Sequence, residues 1–182
     1  VTTDLVARIA EKYGCEVVEV LTGFKYIGEQ IGLLEKAGHP ERYIFGFEES
    51  YGYLSGTYVR DKDGVVASML ICEMAAYYRK QGKSLLQVLE DVYAEFGVFR
   101  HSLINAEFEG ASGMAAMQQL MTSLRENRPA SIAGLKVVRF SDYQASEQTD
   151  LLTGRTVHLD LPKSNVLSFG LEGGAGVIVR PS

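Results

Sequence analysis

Apolar positions in the first half of the chain recur at helical spacing, give way to short β-rich runs, and then recur again. Leu5, Val6, Ile9, Ala10 and Tyr13 follow a 3.6-residue period, with Thr3 and Asp4 placed to cap a helix and Gly14 to end it. Cys15 to Leu21 reads as a strand, because Val17, Val18, Val20 and Leu21 are nearly continuous, as in a parallel sheet covered on both faces. Thr22-Gly23 breaks it, and Ile27, Gly28, Ile31 and Leu34 outline a second helix ending near Gly38-His39-Pro40. Arg42 to Glu48 is the next strand, apolar and aromatic until it stops at Glu48-Glu49-Ser50. Beyond a short extended segment at Thr57-Tyr58-Val59, Asp63 can cap a long helix with Ala67, Leu70, Ile71, Met74, Ala75 and Tyr78 on one face and Gly82 past its end. Its Met and Tyr side chains are expected in the core. Ser84 and Gln87 have capping-box spacing ahead of Leu85, Val88, Leu89, Val92 and Phe96, and Gly97 stops that helix. The alternation predicts an open α/β/α layered module with right-handed crossovers over residues 1–98.

From 99 to 182 the pattern changes. A strand-like Leu103 to Phe108 precedes a helix capped by Ser112 that carries Met117, Leu120, Met121 and Leu124, ending before Pro129. Strand-like runs follow at Leu135 to Phe140, Val157 to Leu161, Val166 to Leu171 and Gly176 to Val179. Pro162-Lys163-Ser164-Asn165 and Glu172-Gly173-Gly174 read as hairpin turns, so the second module is α+β with an antiparallel sheet. The polar stretch from Ala145 to Thr156 reads as a mobile loop.

Composition narrows the function classes. With 182 residues, 46% of them hydrophobic, the chain can bury one good core or two small ones. A formal charge of −5 without any Lys/Arg cluster argues against non-specific nucleic-acid binding. No apolar run is long enough to span a membrane, and no signal-peptide pattern opens the chain. Cys15 and Cys72 sit in apolar segments without CxxC spacing, which predicts buried free thiols in a reducing, cytoplasmic compartment.

The densest polar chemistry lies where the second strand ends. Glu48, Glu49 and Ser50 supply acceptors and a donor suited to sugar hydroxyls, and the nearby Arg60 and Lys62 supply cations suited to phosphate. On a strand, adjacent Glu48 and Glu49 point to opposite faces, so a glycosidase carboxylate pair is a poor reading. In open α/β sheets ligands sit beyond the carboxyl ends of strands, where Thr22 and Glu48 both fall. Gly170, Gly173, Gly174 and Gly176 lack dinucleotide-binding spacing and precede a strand rather than a helix. His39, His101 and His158 are scattered, and no metal-binding cluster of Asp residues occurs.

Three of these segments, in this order, resemble the α-D-phosphohexomutases, specifically their phosphoglucomutase branch, which includes phosphomannomutase and phosphopentomutase activities. They are Thr22-Gly23-Phe24-Lys25-Tyr26-Ile27; Phe47-Glu48-Glu49-Ser50-Tyr51-Gly52 with Arg60-Asp61-Lys62-Asp63-Gly64; and Arg180-Pro181-Ser182, like the opening of a phosphate loop. The resemblance implies that Glu48 and Ser50 bind sugar hydroxyls, Thr22 lines the substrate pocket and Lys62 contacts the bisphosphorylated intermediate. It likewise gives Arg180 and Ser182 to phosphate, and leaves Gly23, Lys25 and Arg60 as ligands or structural residues. Tyr58 stands where some relatives have a histidine, which leaves the general acid or base open. The implied reaction interconverts glucose 1-phosphate and glucose 6-phosphate through glucose 1,6-bisphosphate, using an enzyme phosphoserine and Mg2+. Neither the Thr-Ala-Ser-His-Asn-Pro phosphoserine segment nor the Asp-Gly-Asp-Gly-Asp-Arg metal loop occurs in this sequence. The expectation is therefore a C-terminal piece, inactive alone, whose partners are a hexose phosphate and the N-terminal domains of its own polypeptide. A rival reading is a non-catalytic sugar-phosphate-binding or interaction module.

Overall fold

Helices form where the chain supplies their ends. In the computed structural model, which describes residues 3–181, α1 spans Leu5–Tyr13 and closes on Gly14 in the left-handed region. Helix α2 is Phe24–Lys36, α3 is Gly64–Lys80 and α4 is Leu85–Phe96. Asp63 caps α3 by accepting from the Val65 and Val66 amides, and Ser84 with Gln87 makes both bonds of the capping box on α4. Pro40 starts a 3₁₀ turn, Pro40–Arg42, so the strand expected from Arg42 begins later, as β1 (Phe45–Glu48). It pairs antiparallel with β2 (Gly52–Ser55), with Glu48 opposite Gly52 and Tyr51 at φ 62° closing the three-residue turn.

The chain divides into two units, Val1–Ser102 and Leu103–Ser182. The first buries Phe24, Ile31 and Leu54, with Ile27 and Tyr43 packed against them. Residues 15–21 do not form the expected strand. A strand exists only where a neighbour takes its backbone hydrogen bonds, and among the described residues β1 is paired with β2 alone, its local hairpin partner, so residues 15–21 have no ladder to join. Val17 and Val18 are accordingly exposed, and so is Cys15, contrary to the buried thiol expected there. Cys72 is exposed too, because α3 has no buried residue. Only Ala67, Ala75 and Tyr78 of its expected core face are half-buried; Leu70, Ile71 and Met74 are exposed. Periodicity identifies residues that share a face, whereas burial requires something to cover it.

The second unit is α+β with an antiparallel sheet, as the pattern predicts. Its elements are α5 (Gly110–Glu126), β3 (Ser131–Ile132), β4 (Leu135–Asp142), β5 (Glu147–Asp150), β6 (Thr156–His158), β7 (Leu167–Leu171) and β8 (Gly176–Val179). The sheet runs β6-β5-β4-β7-β8, with β3 paired to β4 at its side. Met121 of α5 packs on Val137, Phe140, Leu167, Phe169 and Leu171, and the Phe140 and Phe169 rings lie 5.2 Å apart.

Four expectations fail here for identifiable reasons. Residues 103–108 form no strand, and Leu103 and Ile104 are exposed. Helix α5 starts before Ser112, after Glu109, and no side-chain cap is made. The polar stretch at 145–156 contains β5, which lacks an apolar alternation but pairs on both edges and receives a 3.2 Å hydrogen bond on Gln148 from buried Ser141. Finally, Pro162–Asn165 is a crossover rather than a hairpin turn, because β5 and β4 lie between β6 and β7.

Candidate sugar-phosphate site

The local turn chemistry of the first unit brings two of its separated motifs together. Phe24, the first residue of α2, is buried, and the Lys62 ammonium lies 5.4 Å from the centre of its ring. Lys62 Nζ is also 3.7 Å from Glu48 Oε1 at the end of β1 and 3.1 Å from Asp61 Oδ1. Gly52, opposite Glu48 across the hairpin, makes this possible: a Cβ there would stand 2.7 Å from Lys62 Cδ and 2.8 Å from Glu48 Cγ. Thus the Thr22-to-Ile27 motif, the hairpin and the Arg60-to-Gly64 motif converge on one lysine.

The electrostatics follow from those distances. Hydrogen bonding to Asp61, then the charges of Asp61 and Glu48, raise the Lys62 pKa above the ordinary lysine value. Asp61 is lowered, chiefly by its hydrogen bond from the Lys62 amide and then by the Lys62 side chain. The Glu48 side chain is only 12% exposed, and its contact with Lys62 is longer than a direct hydrogen bond. Its carboxylate oxygens therefore retain capacity to accept from hydroxyl donors. Ser50 is exposed in the turn beside it, and Glu49 is exposed as well.

Asp63 secures the far end of this loop. Its amide donates to the Tyr53 carbonyl at 2.8 Å, and its carboxylate accepts from the Tyr58 hydroxyl and the amides of Val65 and Val66. The Tyr58 bond and then the amide bonds lower the Asp63 pKa, and the same bond raises that of Tyr58. Behind β1, the Tyr43 hydroxyl donates to the Leu54 carbonyl at 3.1 Å, and burial pushes its pKa up to about 12.

Beside these groups is an open cleft of about 670 Å³ lined by Lys25, Gly28 and residues 59–64. It collects three cations, Lys25, Arg60 and Lys62, with Asp61 and Asp63 between them. The lysines suit a phosphate ester, while Asp61 is paired with Lys62 and Asp63 is taken up by the Tyr58 hydroxyl and the first amides of α3. Thr22 and Gly23 are half-buried at the entry to α2 and do not line the cleft. Arg180 follows β8 in the second unit and is exposed, and Ser182 lies outside the described residues. Sequence reasoning missed Asp61 and Phe24, which with the expected Glu48 surround the Lys62 ammonium; their adjacency to Lys25 and Lys62 within the motifs was the available signal. Among the described residues, no group of three or more His, Cys, Asp or Glu side chains is placed to hold a metal ion. Nor, among them, is any helix long and apolar enough to cross a membrane.

A family model described as phosphoglucomutase/phosphomannomutase, alpha/beta/alpha domain III, matches residues 1–96. The chain belongs to the phosphoglucomutase/phosphomannomutase family. Over its whole length it is 37% identical to a phosphoglucomutase of Staphylococcus epidermidis, of which it covers 33%. It is 38% identical to a phosphoglucomutase of Staphylococcus aureus strain MRSA252, covering 32% of that protein, and 35% identical to one of Staphylococcus saprophyticus, covering 33%. The chain thus spans about a third of the length of these curated relatives.

Proposed function

We propose that this chain supplies the sugar-recognition surface and part of the phosphate-binding surface of a cytoplasmic phosphoglucomutase that interconverts glucose 1-phosphate and glucose 6-phosphate. The observation that carries this reading is the convergence of Glu48, Lys62 and Phe24 at the mouth of the β1–β2 hairpin, beside a cationic cleft. Glu48 accepts hydrogen bonds from sugar hydroxyls, and Ser50 adds a donor and acceptor on the adjacent turn. Lys62 and Lys25 hold a phosphate ester, and Thr22 and Gly23 set the turn that leads into α2 and so to Lys25. Arg180 and Ser182 contribute to a phosphate site of their own. A glucose 1,6-bisphosphate intermediate has an ester at each end, and a site that grips the sugar through hydroxyls can hold it in either orientation. Positioning and charge stabilisation account for most of the rate gain in phosphoryl transfer. The phosphoserine and Mg2+ of the reaction belong to segments outside this sequence.

Kinetics of the full-length enzyme test the assignment. Glu48→Gln and Ser50→Ala are each expected to lower kcat/KM for glucose 1-phosphate, Glu48→Gln by about tenfold or more, the effect of losing a hydrogen bond to a charged acceptor. If neither variant alters hexose-phosphate kinetics, the assignment is wrong. The purified 182-residue chain is expected to show no mutase turnover in a coupled assay.

A further inference from the structure

Arg60 borders the same cleft as Lys25 and Lys62, yet its donors are committed elsewhere. Nη2 donates to Glu35 Oε1 at 2.5 Å, while Nη1 donates to the Thr57 carbonyl and, at 3.2 Å, to the Val59 carbonyl. All three acceptors belong to the protein, and two are carbonyls of the loop that carries Arg60 itself. The backbone of Arg60 also lies directly on α2: a Cβ at Gly28 would come within 2.7 Å of its carbonyl oxygen. Gly28 and Glu35 are separated by two helical turns and share one face of α2, so the loop is held at two points along a single rigid element. Two residues further on, Lys62 reaches Phe24 in the first turn of the same helix.

We propose that Arg60, together with Glu35, is a positioning pair: it clamps the 57–63 loop to α2 so that the Lys62 ammonium is held over Phe24 and beside Glu48, and it does not itself bind the substrate phosphate. This rests on the reading of Lys62 as a substrate ligand. The geometry is specific to arginine, since one planar fork serves a carboxylate on α2 and two carbonyls of its own loop at once. Glu35 is outside the cleft lining and acts only through Arg60.

Steady-state kinetics of the full-length enzyme with glucose 1-phosphate, together with thermal melting of each variant, separate positioning from direct contact. Glu35→Gln and Arg60→Ala are expected to raise KM about two- to fivefold, the range of an exposed ion pair. Combining the two should add little, because each removes the same clamp. Arg60→Lys keeps a cation for Glu35 but loses the fork, so it should recover part of the loss. In a Lys62→Ala background, neither Glu35→Gln nor Arg60→Ala should raise KM further. The proposal is overturned if freeing the guanidinium by Glu35→Gln leaves KM unchanged or lowers it, or if Arg60→Ala retains its full effect without Lys62. Lys62→Ala alone with unaltered KM would overturn the site reading beneath it, a result visible in that single variant.

Discussion

Two methionines, both on helices of 17 residues, show how differently the two units are built. Met121 on α5 is 2% exposed and sits at the centre of a six-residue cluster beneath the antiparallel sheet; Met69 on α3 is 66% exposed. In the second unit β4 pairs with its hairpin neighbour β5 and, through a longer crossover, with β7, and the buried face of α5 packs on this sheet. The first unit buries a smaller cluster, Phe24, Ile31 and Leu54, and keeps its chemistry on the loops around it. Groups that must meet a ligand are carried by segments that little else covers, and their geometry depends on clamps and caps rather than on core packing.

The sharpest way to break this comparison is to truncate both methionines. Met121→Ala is expected to destabilise the second unit by about 2–5 kcal/mol, whereas Met69→Ala should stay within about 0.5 kcal/mol. Denaturant unfolding read by amide protection in each unit would measure both, and equal effects would show that α3 is covered as thoroughly as α5. A smaller loss is expected at the crossing of α2 with the Arg60 loop. Gly28→Ala forces a methyl group to 2.7 Å from the Arg60 carbonyl, so the loop must move at a cost of about 1–3 kcal/mol. The Lys62 ammonium should then leave the Phe24 ring, which a change in ring proton shifts would report; unaltered shifts would mean that the crossing does not set the lysine.

The smallest effect concerns acid. The folded-state pKa of Asp63 is lowered by the Tyr58 hydroxyl and the Val65 and Val66 amides, so its contribution is complete above the ordinary carboxylate range of about pH 4. It is lost as pH falls through the depressed folded value. The Val65 and Val66 amide resonances should therefore shift together below about pH 4 while the Phe140–Phe169 ladder of the second unit holds its position. Amides that stay put throughout that titration would show that Asp63 does not cap α3 in solution.

Much of the local structure was legible because its causes are local. Asp63, Ser84 with Gln87, Gly14 and Gly97 mark helix ends by hydrogen bonds and backbone preferences that involve only a few neighbouring residues. The β4, β7 and β8 strands announce themselves through apolar runs, of which Val137, Phe140, Leu167, Phe169 and Leu171 form the core while Val177 and Val179 pack against it. Strand β5 escaped notice since Glu147 to Asp150 is held by backbone ladders on both edges and carries no apolar signature. The run at 15–21 has the composition of a strand, but composition cannot supply the neighbour that makes one.

For the site, the motifs picked out candidate residues and their order along the chain pointed to the family, both properties of sequence alone. That Lys62 settles on Phe24 and against Glu48, and that Arg60 turns to Glu35 and its own loop's carbonyls, was decided only when the hairpin folded back and the loop crossed α2 at Gly28. The physical reason is distance: charges attract wherever they are brought close, but which ones are brought close depends on turns and helix faces well removed along the chain.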